Sequence, residues 1–276
     1  MSSAVRHSPS AHGQDPSRDG TLIAHRRRGD GPPVILVGGA LSTAAEAPLA
    51  ELLASRFSVV TYDRRGRGSS GDGAPYAVER EVEDLAAVID RVGGRASVFG
   101  MSSGGALALE AQAAGLPVDL LAVYEPPFAP DAPGRRAKAR YASRLHRLLS
   151  DGDRAAALEL FLSLAGIPAD MIARMRHAPL WRGLESLAHT LAYDDAILGN
   201  GTVPTERLGS VTARTMVLTG GFSPTPMRTL TRVLADAIPR ARHRTLTGQT
   251  HDLAPQVVAP VLAEFFSKDV YVSRAS

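Results

Sequence analysis

The feature that most constrains this chain is a rhythm of short apolar runs separated by helix-length segments. Val34-Ile35-Leu36-Val37 is apolar at every position, follows Pro32-Pro33 and is stopped by Gly38-Gly39. A run without a polar face suits a strand buried on both sides. Phe57 to Tyr62, Ala96 to Gly100 and Val118 to Tyr124 read as further strands, and Thr21 to Arg26 as a first, edge strand. Helical patterns fall between them. One covers Thr43 to Ser55. Another covers Arg80 to Val92, with Val82, Leu85, Val88 and Ile89 at helical spacing before Gly93-Gly94. A third covers Gly104 to Ala114 and stops at Gly115. The rhythm resumes late, with strands over Thr215 to Thr219 and Arg242 to Leu246 and helices over Met227 to Ala237 and Leu253 to Phe266. Strand–helix alternation predicts an α/β fold: a mainly parallel twisted sheet with helices on both faces.

The rhythm breaks between residues 130 and 210. No strand pattern occurs there. Helical segments cover Arg136 to Leu149, Ala155 to Ala165, Ala169 to Met175 and Leu184 to Leu198. The expected organisation is a flexible tail over 1–19, a core made of 20–129 and 211–276, and a helical lid over 130–210. Arg135, Arg136, Lys138, Arg140, Arg144 and Arg147 make one lid helix basic. A solvated helix face accounts for that run, and attraction of an anionic substrate group is the sharper alternative.

Composition narrows the function. A chain of 276 residues with 44% hydrophobic and 21% charged residues is long and apolar enough for a full core. There is no cysteine, which removes disulfides, thiolate metal sites and cysteine nucleophiles and fits a reducing, cytoplasmic compartment. The first twenty residues lack the apolar centre of a signal peptide, and no apolar run is long enough to span a membrane. A net charge of +3 with 5% aromatic residues does not form the basic, aromatic stripe of a nucleic-acid binder. The expected partner is a small-molecule substrate, with no nucleic acid and no membrane, and the oligomeric state is left open.

The chemical signal is Gly100-Met101-Ser102-Ser103-Gly104. It matches G-x-S-x-G, and it lies where a strand runs in and a helix runs out. At so tight a turn the serine takes a strained backbone conformation, with its hydroxyl raised above the carboxyl end of the sheet. The glycines let strand and helix approach closely. The helix N-terminus behind the serine favours developing negative charge.

With this elbow, the chain from about residue 20 to 275 resembles the α/β-hydrolase superfamily. Tyr62-Asp63-Arg64-Arg65-Gly66-Arg67-Gly68-Ser69-Ser70 is similar to a segment those proteins carry after an early strand. Val37-Gly38-Gly39-Ala40 stands where they place His-Gly and an oxyanion-hole residue. The resemblance implies Ser102 as nucleophile and the backbone N–H groups of Ala40 and Ser103 as oxyanion donors. Gly38 replaces the usual His; since the donors are backbone groups, the change bears on loop geometry and not on the hole itself. Of eight histidines, His251 in Gly248-Gln249-Thr250-His251-Asp252 holds the family's histidine position, and imidazole suits a serine's base. Asp252 beside it reads as a helix cap.

The family pattern fails at the acid. The loop Gly220-Gly221-Phe222-Ser223-Pro224, where it belongs, holds no carboxylate. Three arrangements compete. Glu125, in Tyr124-Glu125-Pro126-Pro127, stands at the carboxyl edge of the strand after the elbow helix and needs no long reach. Asp194 or Asp195 could reach over from the lid. Otherwise no acid is present, and Ser223 or a water orients His251. The resemblance implies a serine hydrolase acting on a carboxylic ester, lactone or thioester, with no cofactor and no metal. The alternatives are a non-hydrolytic protein of the same fold, binding a ligand or promoting cyclisation or elimination, and a perhydrolase-like activity.

Overall fold

A computed structural model describes residues 11–43 and 46–267. Eight strands form one sheet: β1 (Ala11–Pro16), β2 (Leu22–Arg28), β3 (Pro33–Val37), β4 (Ser58–Tyr62), β5 (Ala96–Met101), β6 (Val118–Tyr124), β7 (Arg214–Gly220) and β8 (Ala241–Leu246). Their spatial order is β1-β2-β4-β3-β5-β6-β7-β8. The β1–β2 and β2–β4 pairs are antiparallel, and all the others are parallel.

The period-2 alternation of the strands sorts their side chains onto two faces. Ile35, Val37, Val60, Val98, Leu121, Val123 and Val217 pack one face against α2 (Val78–Arg91), α3 (Ser103–Ala113) and α10 (Thr225–Asp236). Val34, Leu36, Val59, Phe99, Leu120, Ala122, Met216 and Leu218 pack the other against α1 (Ala47–Leu53) and α11 (Pro255–Ser267). Covering both faces is what parallel strands require.

The tail expectation is corrected in part. Residues 1–10 lie outside the described residues, but Ala11–Pro16 is a strand in register with β2, from Ala11↔Arg27 to Pro16↔Leu22. The pairing uses backbone groups, which composition does not report, and Asp15 meets His25 across it at 2.7 Å. The helix expected over Thr43 to Ser55 is shorter, Ala47–Leu53, and residues 44–45 lie outside the described residues.

Between β6 and β7 the described chain is helical and contains no strand. It holds α4 (Ala132–Ser150), α5 (Arg154–Leu164), α6 (Ala169–Met175), α7 (Trp181–Ser186), α8 (Leu191–Ile197) and α9 (Thr205–Leu208). The single helix expected over Leu184 to Leu198 is broken by a 3₁₀ turn at Ala188–Thr190. Ser186 and Thr190 both donate their hydroxyls to carbonyls three residues back, which competes with helical bonding and bends the chain. The insertion has its own small core of Leu145, Leu158, Leu162, Ile172, Trp181 and Leu191, and Ala40 and Leu41 pack against it. Arg136, Arg140, Arg144 and Arg147 are exposed on α4.

Candidate active site

Three strand ends meet at the carboxyl edge of the sheet. β5 ends at Met101, and Ser102 follows at φ 54°, ψ −126°, a region that a residue with a Cβ occupies only under strain. The conformation is held from both sides. Ser102 donates its N–H to the Tyr124 carbonyl at 2.8 Å, and its own carbonyl accepts from Gly105 and Ala106 at 2.9 and 3.2 Å. Ser102 occupies the N-cap position of α3 without using its side chain as a cap, so Oγ is free for other work. A methyl on Gly104 would collide with the Val37 and Gly38 carbonyls, so only glycine lets the elbow press onto β3.

The loop after β3 lies against this elbow. A methyl placed on Gly39 would sit 3.1 Å from Ser102 Cβ. Ala40 follows, and Ser103 is the first residue of α3, where an N–H has no intrahelical partner. At position 38 a Cβ would lie 2.6 Å from Ser42 Oγ and Glu46 Oε1, so a side chain there would have to displace these two groups. Burial raises the Glu46 carboxyl above its ordinary value, against the opposing pull of Ser42, Arg67 and Arg64.

Glu125 directly follows β6. It is fully buried and has φ 46°. Its Oε1 accepts from Thr219 Oγ1 and the Gly220 N–H, both at 2.8 Å, and its Oε2 lies 2.8 Å from His251 Nδ1. Burial alone would raise this carboxyl. The donors gathered on it, His251 first, outweigh burial and hold it below its ordinary value. Ser223 is buried beside the same carboxylate.

His251 is half exposed in the loop after β8. That loop is tied down by Tyr124, whose hydroxyl donates to the Thr250 carbonyl, and by Phe222, whose N–H donates to Gln249 O at 2.8 Å. Asp252 is not the cap of α11. The helix starts at Pro255, whose fixed φ suits a first helical position, so the cap falls on residue 254.

Asp194 and Asp195 are occupied elsewhere. Asp194 is 2.9 Å from Arg67 and 2.8 Å from Arg64, and Asp195 pairs with Lys138 at 2.8 Å and faces His146 at 3.5 Å. Of the carboxylates weighed for His251, the structure brings Glu125 to it. No cluster of three or more His, Asp or Glu able to hold a metal ion occurs among the described residues, and none of their helices is long and apolar enough to cross a membrane.

Sequence reasoning missed two features of the site: the Tyr124 tether, and the burial of Arg64, Arg65 and Arg67, each at 1% exposure or less. A signal for the second exists in the sequence. Glu81 and Asp84 fall on the same helix face as Leu85 and Val88, and acids on a buried face call for cations. Arg64 forks onto Glu81 and Arg65 onto Asp84.

Fold and strained elbow together define an α/β-hydrolase architecture, and comparison with known proteins agrees. The chain matches the family model described as alpha/beta hydrolase family over residues 34–264. It is 54% identical to the crystal structure of an alpha/beta hydrolase from Sphaerobacter thermophilus, covering 92% of this chain and 100% of that one at a TM-score of 0.84. The protein belongs to the alpha/beta hydrolase family. Two more distant structures share its fold. A 2-hydroxy-6-oxo-6-phenylhexa-2,4-dienoate hydrolase from Rhodococcus sp. strain RHA1 is 22% identical, with 94% and 99% of the two chains covered and a TM-score of 0.68. A thermophilic esterase from Thermogutta terrifontis is also 22% identical, with 96% and 98% covered and a TM-score of 0.67.

Proposed function

We propose that the protein is a serine hydrolase acting on a carboxylic ester, lactone or thioester of a small molecule in the cytoplasm. The observation that carries this reading is the 2.8 Å contact between His251 Nδ1 and a Glu125 carboxylate that is itself held by two further donors. A carboxylate on Nδ1 fixes the imidazole tautomer with its lone pair on Nε2, the nitrogen that takes a serine proton, and stabilises the imidazolium formed during attack. Ser102 Oγ adds to the substrate carbonyl while its proton passes to His251. The oxyanion is held by the N–H groups of Ala40 and Ser103, the latter reinforced by the α3 dipole. His251 then protonates the leaving alkoxide or thiolate. Water, activated by the same histidine, hydrolyses the acyl-enzyme and regenerates Ser102.

The non-hydrolytic alternative drew on the empty acid position in the loop after β7, and the 2.8 Å approach of Glu125 to His251 Nδ1 speaks against that motive; a perhydrolase-like activity would use the same three residues and is separated by assay. The test is turnover of p-nitrophenyl esters of graded chain length together with fluorophosphonate labelling. Ser102→Ala is expected to lower turnover by a factor on the order of 10³ or more and to abolish labelling, with melting temperature unchanged. Near-normal turnover in this variant would exclude Ser102 as nucleophile.

A further inference from the structure

Burying a guanidinium costs several kcal/mol unless its charge and donors are matched, so three buried arginines in one loop call for an account. Arg65 is matched by Asp84 and Asp19. Arg64 and Arg67 instead reach the loop that carries Ala40. Arg64 Nε and Nη2 fork onto Glu81 at 2.6 and 2.7 Å, while Nη1 lies 2.8 Å from Asp194, 3.3 Å from the Gly38 carbonyl and 3.4 Å from Ser103 Oγ. Arg67 Nη2 is 2.9 Å from both oxygens of Asp194, and its Nη1 donates to the Gly39 carbonyl at 2.6 Å. Asp194 belongs to α8, inside the insertion.

The Gly39 carbonyl shares a peptide plane with the Ala40 N–H. That peptide is trans, since among the described residues the cis bond is Ala74-Pro75. Across a trans peptide, C=O and N–H point in opposite directions. A carbonyl clamped by Arg67, and further by the Ser42 N–H at 3.3 Å, therefore fixes where the Ala40 N–H is aimed. Glycine at both 38 and 39 leaves this backbone otherwise free to rotate.

We propose that Arg67, held in place by Asp194 of the insertion, is a positioning residue for oxyanion stabilisation, setting the aim of the Ala40 N–H through the Gly39 carbonyl. The proposal rests on the reading of Ser102 as a hydrolytic nucleophile. It gives the insertion a task besides substrate choice, because the acid that fixes the aim of this donor comes from α8. A flipped or loosened peptide would leave substrate binding in place and weaken only the state that carries the oxyanion.

The test uses the full chain with p-nitrophenyl butyrate as substrate and an alkyl trifluoromethyl ketone as inhibitor, whose serine adduct carries an oxyanion. Arg67→Met is expected to lower kcat on the order of 10- to 100-fold with KM changed less than about threefold, and to weaken the ketone by the same factor as kcat/KM. Arg67→Lys keeps a cation beside Asp194 but has no fork to span both Asp194 and Gly39. It is expected to stay folded and still lose kcat, and it carries the test where Arg67→Met does not fold. A folded variant with normal kcat, or a loss confined to KM, overturns the proposal while leaving the hydrolase reading intact. If the unsubstituted protein neither hydrolyses any ester nor is labelled at Ser102, the hydrolase reading fails and takes the proposal with it.

Discussion

At the scale of single residues, Glu125 and Ser223 make a controlled comparison. Both are buried around the same point, one ionised and one neutral. A carboxylate is the stronger partner for an imidazole that must become charged during the reaction. Glu125→Gln is nearly isosteric, but it puts an amide where the carboxylate faces Nδ1. It is expected to lower kcat on the order of 10³-fold or more, as amide replacement of a triad acid does elsewhere, whereas Ser223→Ala lowers kcat less than about tenfold. Steady-state kinetics and melting temperatures of the two variants decide this; a damaging Ser223→Ala with a harmless Glu125→Gln would reverse the roles. Ser102 and Glu125 could be picked out as candidates because each directly follows a strand that an apolar run marks out, whereas His251, five residues beyond the polar strand β8, was reached through the family resemblance. The Tyr124 tether was not legible, because a tyrosine closing an apolar strand looks like core until its hydroxyl is seen on Thr250.

At the scale of elements, β3 to β7 could be placed because burial on both faces leaves a nearly unbroken apolar run, a mark that β8, with Arg242, His243, Arg244 and Thr245, does not carry. β1 could not be placed, because an edge strand with polar side chains is held by backbone pairing. The insertion's helices were recognisable, but their junction to the core was not. Asp194 contacts Arg64 and Arg67 across 130 and 127 residues of chain, and no local pattern reports such a contact. This junction has a pH signature. Burial would raise the Asp194 carboxyl, but Arg67 and Arg64 outweigh burial and hold it below its ordinary value. A carboxylate depressed in the folded state contributes stability that is fully present above its unfolded pKa of about 3.9 and is lost as pH falls through the folded value. Asp194→Asn leaves the buried Arg67 without its paired carboxylate and Arg64 with Glu81 alone, so a destabilisation of about 3–5 kcal/mol is expected at neutral pH. The gap in melting temperature between Asp194→Asn and the unsubstituted protein should stay constant from pH 7 to about pH 5 and close below about pH 4. A gap that widens on acidification would contradict the assignment.

At the scale of the whole molecule, the sheet and the insertion divide the work unequally. The sheet's carboxyl edge presents Ser102, Glu125 and His251 after three separate strands, so on the proposed reading the chemistry belongs to the core. The insertion leaves this edge after Glu125 and packs its own apolar cluster against Ala40 and Leu41, which brings it over the loop after β3. Segments at the carboxyl ends of parallel strands border the ligand in such sheets, so the insertion is expected to shape the acyl pocket. One methylene in an apolar pocket is worth about 1–3 kcal/mol, roughly 10- to 200-fold in kcat/KM. Chimeras that exchange residues 132–208 for the matching segment of another family member should therefore shift the preferred acyl length, with a change of at least about tenfold in the ratio of kcat/KM for short and long p-nitrophenyl esters. The exchange has to keep a carboxylate at position 194. If Arg67 depends on Asp194 to aim Ala40, a chimera without that acid loses kcat on every ester alike, while one that retains it changes selectivity with kcat on its best ester kept within about tenfold. An unchanged acyl profile in a folded, carboxylate-bearing chimera would show that the pocket is built by the core instead.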